Sequence, residues 1–132
     1  MNYLNWIRRS KVQYIMGRDS QMKVKDLIQS GSFKVINEGD NIDRVIVGPY
    51  CCDLLSIAMG RMPADSAWVT VMGNINTLAV ATLADASCII LAEGSMLDEP
   101  ALVKAKEQGI TVFTTELPIF ATALDIYSML HA

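Results

Sequence analysis

Histidine and cysteine are scarce in this sequence. The one histidine is His131, the penultimate residue, and the three cysteines are Cys51, Cys52 and Cys88. Three is an odd number and no two of them have the CxxC spacing, so the sequence indicates neither a disulfide framework nor a zinc site. We therefore expect no metal and no cofactor. Cysteines that stay reduced make the cytoplasm the simplest compartment.

Long apolar runs are also missing. No stretch approaches the roughly 20 residues that a membrane-spanning helix needs, and the N-terminus lacks the apolar core of a signal peptide. The chain has 132 residues, 52% of them hydrophobic, which is enough material for one compact core. We expect one globular domain and no membrane contact.

The motifs that carry most phosphate and hydrolase chemistry are absent: there is no GxxxxGKS or GxxxxGKT, no GxGxxG and no GxSxG. General-base chemistry would need His131 to fold back from the chain end. Cys51 and Cys52 precede a predicted helix whose N-terminus could lower a thiol pKa, or they could be small buried apolar side chains. We expect no catalytic residue and keep a thiol-dependent enzyme as the less favoured interpretation.

Charge is distributed unevenly along the chain. The net charge is −3, but residues 1–21 carry +3, so residues 22–132 carry −6. The charged residues of the first segment are Arg8, Arg9, Lys11, Arg18 and Asp19. We expect this segment to be a poorly ordered leader or extension, with a membrane-surface or partner-binding helix as the alternative. The acidic remainder argues against nucleic-acid binding, and the adjacent Asp43 and Arg44 are interpreted as a solvated edge.

Helical and strand-like patterns alternate from Met22 onward. A short helix, KVKDLIQSG, precedes the strand-like runs FKVI and DRVIVGPY, which flank the turn NEGDN. There follow a helix over DLLSIAMG with Asp53 as N-cap, the strand AWVTV, a helix through LAVATLADA, the strand CIILA, a helix between Asp98 and Gly109, and the strand ITVFT. A last helix begins at Pro118 with one apolar stripe: Ile119, Phe120, Ala123, Leu124, Ile126, Tyr127 and Leu130. Strands that are apolar on both faces predict an α/β fold with a parallel sheet.

Small polar residues follow the last three predicted strands. They are Gly73, Asn74, Asn76, Glu93, Gly94, Ser95, Thr114, Thr115 and Glu116. In an open parallel sheet, ligands bind beyond the carboxyl ends of the strands, where helix N-termini offer unpaired amides. The first eight are therefore candidate ligand-binding residues, although capping and turn formation explain the asparagines, serine and threonines more simply.

Several runs between Met22 and Leu130 resemble the DRTGG domain family. They are KVKDLI, GDNIDRVIVGPYCCDLLS, LAVATLADASCIIL and EQGITVFTTELPIFATALDIYSML, with Gly109, Thr115 and Phe120 at the family's usual spacing. The chain is similar in particular to stand-alone members and to the N-terminal domain of HPr kinase/phosphorylase. The resemblance implies one DRTGG-like domain over residues 22–132, with a three-layer α/β/α fold and a mainly parallel sheet. It implies a bacterial regulatory or assembly module and no kinase activity, because the P-loop half is absent.

The residues that give the family its name are largely replaced. The family's Gly-Asp-Arg corresponds here to GNI at residues 73–75, and its Thr-Gly-Gly corresponds to AEG at residues 92–94. Isoleucine in place of arginine removes a bidentate phosphate ligand, and Glu93 adds a negative charge where an anion would sit. If this corner binds a phosphorylated ligand in the family, the present chain should bind it more weakly.

Two functions follow from these expectations. The first is a non-catalytic module that homodimerises through an apolar surface, such as the Met-rich helix around Leu54 to Met62, and docks to a separately encoded signalling or metabolic protein. The alternative is a sensor that binds a nucleotide or metabolite at the eight candidate residues.

Overall fold

The computed structural model describes residues 21–132. The expected leader, residues 1–21, lies outside the described residues except for Gln21. The described elements are, in order, α1 Val24–Ser30, β1 Lys34–Asn37, β2 Gly48–Cys51, α2 Leu55–Arg61, β3 Ser66–Thr70, α3 Ile75–Leu83, β4 Cys88–Leu91, α4 Glu99–Gln108, β5 Val112–Thr114 and α5 Ile119–Leu130. Among these helices, none is long and apolar enough to cross a membrane.

The strands form one mixed, mostly parallel sheet in the order β1-β5-β4-β3-β2. Neighbours from β2 to β5 are parallel, and β1 is antiparallel to β5. In this register Trp68 lies between Tyr50 and Ile89. Because consecutive parallel strands are neighbours, right-handed crossovers place α2, α3 and α4 on the same face of the sheet. All carboxyl ends of the parallel strands consequently lie at one edge, which we call the carboxyl edge, and the opposite side is the amino edge.

The sheet has a separate apolar core on each face. One core joins the sheet to α1 and α5 and includes Leu27, Val69, Ile90, Phe113 and Ile126. The other joins it to α2, α3 and α4 and includes Ala58, Trp68, Leu78, Ile89 and Ala105. Every residue of β3, β4 and β5 is buried, which is why these strands are apolar on both faces. The predicted three-layer α/β/α fold with a mainly parallel sheet is confirmed.

The predicted limits of α4 are confirmed by its caps. Asp98 Oδ1 accepts the amide proton of Ala101 at an N···O distance of 2.9 Å, and Gly109 ends the helix in the left-handed region with φ of 66°. The start of α5 is also as predicted, with Pro118 as the N-cap residue. Local capping chemistry therefore fixes these ends.

Two predicted limits near the middle of the chain are wrong. Asp53 does not cap α2, because the N-cap residue is Leu54 and no side chain bonds the first amides. The run DRVIVGPY contains a strand only from Gly48 onward. Its earlier part pairs with the start of α1 instead: Val45 forms an isolated bridge with Lys23, and the Ile46 amide donates to the Met22 carbonyl at 2.9 Å.

The residues of the predicted stripe on α5 face two different environments. Ile126 and Leu130 are buried in the core, whereas Phe120 is 76% exposed and Leu124 is 49% exposed. The helix packs on β2 and β3, so its far side faces outward. The apolar residues of α5 therefore do not act as one core-facing stripe.

Arg44 ties together loops at the amino edge. Its Nε lies 2.8 Å from Asp65 Oδ1, and its Nη2 lies 2.8 Å from Asp85 Oδ1. Burial by itself would lower the pKa of Arg44, but the hydrogen bonds and charges of the two aspartates outweigh it and raise the pKa. The interpretation of Arg44 as part of a solvated edge is wrong, because sequence neighbours cannot show that Asp65 and Asp85 approach from other loops.

Candidate functional site at the carboxyl edge

The four loops that follow β2, β3, β4 and β5 form a continuous rim at the carboxyl edge. The Cys52 amide donates to the Val69 carbonyl at 3.4 Å, which ties the loop after β2 to β3. The Asp98 amide donates to the Gly73 carbonyl at 2.9 Å, and the Glu93 amide donates to the Leu117 carbonyl at 2.9 Å. Backbone hydrogen bonds thus join the loop after β2 to β3, and the loop after β4 to the loops after β3 and β5.

The corner after β3 is organised by Asn74. Its Oδ1 accepts the amide protons of Asn76 and Thr77, at 3.0 and 3.2 Å, and so caps α3. Gly73 lies against the next loop, where an added Cβ would sit 2.0 Å from the Met96 carbonyl oxygen. The sequence GNIN therefore turns a strand into a helix and packs it closely against the adjacent loop.

The corner after β4 uses its own amide groups. Glu93 and Gly94 are left-handed, with φ of 59° and 72°, a pair of conformations that could gather amides around an anion. Instead, the Gly94 amide donates to the Thr115 carbonyl at 2.8 Å and the Ser95 amide donates to the Ala92 carbonyl at 3.1 Å. With the Glu93 amide bound to Leu117, all three donors are occupied by protein carbonyls.

The threonine side chains of the corner after β5 are also hydrogen-bonded within the protein. Thr114 Oγ1 donates to the Ser95 carbonyl at 2.7 Å, and Thr115 Oγ1 accepts the Leu117 amide proton at 3.2 Å. The structure thus brings all eight candidate residues to one edge. The side chains of Asn74, Thr114 and Thr115 form hydrogen bonds within the protein there. The ligand-binding role predicted for the eight residues stays a prediction.

Two buried hydroxyl groups near the first corner were missed by sequence reasoning. Thr70 ends β3 and Thr77 lies in the first turn of α3, and both residues are fully buried. Neither hydroxyl has a hydrogen-bond partner within residues 21–132. A buried hydroxyl without a partner costs free energy, so each of these two hydroxyls would be stabilised by a hydrogen bond from a bound group.

Sequence reasoning also missed that each of the four loops presents an exposed apolar side chain at the rim. The exposed fractions are 54% for Leu54, 44% for Ile75, 54% for Met96 and 38% for Leu117. Beside them are five exposed acidic residues, Asp53, Glu93, Asp98, Glu99 and Glu116. These nine residues are called the carboxyl-edge surface. The sequence signal was a large aliphatic or methionine residue in each otherwise polar loop.

The carboxyl-edge surface carries negative charges, and its own loops supply no positive charge to balance them. The loop segments 52–54, 71–75, 92–99 and 115–118 contain no lysine or arginine. In the described part of the chain, none of the five carboxylates forms an ion pair. Asp98 is engaged only as the cap of α4. The surface therefore combines apolar area with negative charge.

Two of the three thiols, those of Cys51 and Cys88, lack the surroundings of a reactive nucleophile. Desolvation by the surrounding protein, together with the neighbouring Cys52, raises the pKa of Cys51 to about 11, even though Cys51 as a residue is exposed. Burial raises the pKa of Cys88 to about 12. The prediction that a helix N-terminus could lower a thiol pKa is wrong for Cys51, because desolvation dominates. Within residues 21–132, no group of three or more His, Cys, Asp or Glu is arranged to hold a metal ion.

No family model and no curated protein matches this chain. Among solved structures, it is similar to the CBS and DRTGG domains of the regulatory region of Clostridium perfringens pyrophosphatase, complexed with the activator diadenosine tetraphosphate. The match has a TM-score of 0.62 and 15% identity, and covers 93% of this chain but 56% of that structure, so the present chain spans little more than half its length. At this identity the likeness shows the fold alone. That fold is consistent with the DRTGG-like architecture that the sequence resemblance implied.

Proposed function

We propose that this chain is a DRTGG-like regulatory and assembly domain that acts by binding, not by catalysis, and that it homodimerises and docks to a separately encoded protein. One observation at the carboxyl edge carries the proposal. The amides and helix caps of its loops are hydrogen-bonded within the protein, whereas apolar side chains of the same loops are exposed. The regulatory origin of the similar structure supports it. We also propose that the protein is located in the bacterial cytoplasm, because free cysteines stay reduced there.

The surface that we assign to homodimerisation is the outer face of α5. Phe120 and Leu124 are one helical turn apart, and they are 76% and 49% exposed. The helix around Leu54 to Met62 also exposes apolar side chains, with exposed fractions of 54% for Leu54, 40% for Ile57 and 49% for Met59, but none is as exposed as Phe120. Two copies of α5 packed about a twofold axis would cover both exposed side chains.

Light scattering at micromolar concentration tests this assignment. The expected mass is twice the 14.5 kDa of one chain. Leu124→Glu should yield a monomer, because it places a charge at the centre of the contact. Leu83→Glu is the matched control: Leu83 is 72% exposed on α3, in the opposite layer, and its substitution should leave the dimer intact. A wild-type protein that stays monomeric would contradict homodimerisation.

The second candidate function, a nucleotide sensor, is favoured by the buried hydroxyls of Thr70 and Thr77. The nucleotide activator bound by the similar Clostridium perfringens structure points the same way. The five acidic residues of the carboxyl-edge surface oppose it, because they repel a polyphosphate. We therefore place the sensor second to the assembly module.

Thermal unfolding with diadenosine tetraphosphate, ATP and GTP tests the sensor function. A ligand at about 100 times its dissociation constant should stabilise the protein by about 2.7 kcal/mol. Thr70→Val and Thr77→Val should abolish that shift if the hydroxyls bind the ligand. Without a ligand, each substitution should be neutral or stabilising by up to about 1 kcal/mol, since it removes an unpartnered buried hydroxyl. The absence of a shift with every nucleotide would reject this function.

A further inference from the structure

The carboxyl-edge surface has the chemistry of a receptor for a basic, apolar segment. Its apolar residues Leu54, Ile75, Met96 and Leu117 follow four adjacent strands. Strands about 4.8 Å apart spread four such loops over about 14 Å, the length of roughly ten helical residues. The five carboxylates beside this row have no ion-pair partner among residues 21–132.

We propose that this surface binds the chain's own N-terminal segment, residues 1–20, which a docking partner of the proposed function would have to displace. The segment has the complementary composition, with a charge of +3 against the −6 of residues 22–132. Its basic residues are Arg8, Arg9, Lys11 and Arg18, and its large apolar residues are Tyr3, Leu4, Trp6, Ile7, Val12, Tyr14, Ile15 and Met16. Such a segment can cover apolar side chains and neutralise carboxylates at the same time.

The segment is long enough to reach the surface. The described chain begins at Gln21, and Met22 and Lys23 are held beside Val45 and Ile46 at the amino edge. The longest strand, β3, has five residues, so the sheet is roughly 17 Å high at 3.3 Å per residue. Twenty residues span about 30 Å as a helix and about 66 Å when extended. Either form bridges the distance between the two edges.

The charge of the surface decides against other occupants. A second copy docked through the same surface would bring five carboxylates against five. A nucleic acid or an anionic membrane would be repelled in the same way. The basic segment encoded in the chain is also tethered, which gives it a high effective concentration relative to a separate basic partner.

Limited trypsin digestion of the full chain tests the proposal, because trypsin cleaves after the basic residues of the segment. Glu93→Lys combined with Glu116→Lys should release the segment and raise cleavage within residues 1–20 roughly tenfold, since cleavage follows the released population. Met96→Asp should raise it as well by removing an apolar contact, and this side chain is 54% exposed, so its replacement is tolerated by the fold. Cleavage is followed by mass spectrometry.

The matched control is Glu38→Lys combined with Glu107→Lys, which makes the same charge change at two exposed residues outside the surface. It should leave the cleavage rate at the wild-type value. Equal rates in wild type, surface variants and control would overturn the proposal and leave the surface to a partner's basic segment. Protection that disappears on dilution would also overturn it, because the segment would then come from a second copy. The dimer assigned to α5 can fail without affecting this result.

Discussion

The two edges of the sheet are built in opposite ways. At the amino edge, charged and polar groups are paired: Arg44 bonds Asp65 and Asp85, and Lys25 bonds Asp43 at 3.1 Å. All ion pairs between described residues lie at this edge. At the carboxyl edge, the backbone is equally well bonded, but five carboxylates and four apolar side chains are left facing outward.

The polar side chains of the amino edge also cross between distant segments. Asn41 Nδ2 donates to the Ser87 carbonyl at 2.8 Å, and Thr111 Oγ1 donates to Asn41 Oδ1 at 3.0 Å. Asn37 Nδ2 donates to the Ile110 carbonyl at 2.8 Å. An edge whose groups bond one another holds the fold together. An edge that leaves charged and apolar side chains exposed and without ion-pair partners among residues 21–132 is available for binding, and this difference supports the docking role that we propose for the carboxyl edge.

The largest expected effect comes from adding one methyl group at the closest loop contact of each edge. A Cβ at Gly73 would meet the Met96 carbonyl oxygen at 2.0 Å, and a Cβ at Gly39 would meet the Gly109 carbonyl oxygen at 2.0 Å. Gly73→Ala and Gly39→Ala should each lower the free energy of unfolding by about 1–3 kcal/mol or more, because backbone must move. Urea denaturation measures the change.

Gly60→Ala is the control for both substitutions. No atom lies within 4 Å of its added Cβ, and Gly60 is inside α2. Alanine there should raise the free energy of unfolding by about 0.5–1 kcal/mol. If Gly73→Ala behaved like Gly60→Ala, the loops of the carboxyl edge would be packed more loosely than those of the amino edge.

A smaller effect is expected from removing one charge at each edge. Arg44→Ala should lower the free energy of unfolding by about 1–2 kcal/mol, because Asp65 and Asp85 lose charge-assisted hydrogen bonds in a half-buried setting. Glu116→Ala should change it by less than about 0.5 kcal/mol, because Glu116 has no ion pair within residues 21–132. The loss in Arg44→Ala should shrink in high salt. Equal effects of the two substitutions in chemical denaturation would remove the contrast between the edges.

The smallest expected changes in stability come from replacing the two asparagines of the GNIN corner. Asn74→Ala should cost about 1 kcal/mol, because it removes the acceptor for the Asn76 and Thr77 amides. Asn76→Ala should lie within about 0.5 kcal/mol of the wild type, because the Asn76 side chain is exposed. Thermal unfolding measures both. A larger loss for Asn76→Ala would show that the cap is not the main role of this corner.

Local sequence patterns were sufficient for the layers and for several helix ends. Strands apolar on both faces predicted helices on each side of the sheet, and Asp98, Gly109 and Pro118 marked helix limits through their own backbone preferences. Such signals act within a few residues, so they can be recognised in the sequence. The same local reasoning failed at Asp53, where the helix begins two residues later and the carboxylate is out of register with the first amides.

The sequence alone determined the fold class, the order of most elements and the set of polar residues at the carboxyl ends of the strands, because periodicity and capping are short-range properties. Only the tertiary structure decided that Arg44 joins Asp65 to Asp85, that the amides after β4 bond to the loop after β5, and that Phe120 faces outward. These features depend on which distant segments become neighbours, and on which side of a helix the sheet covers. Long-range packing sets both, and no local pattern records it.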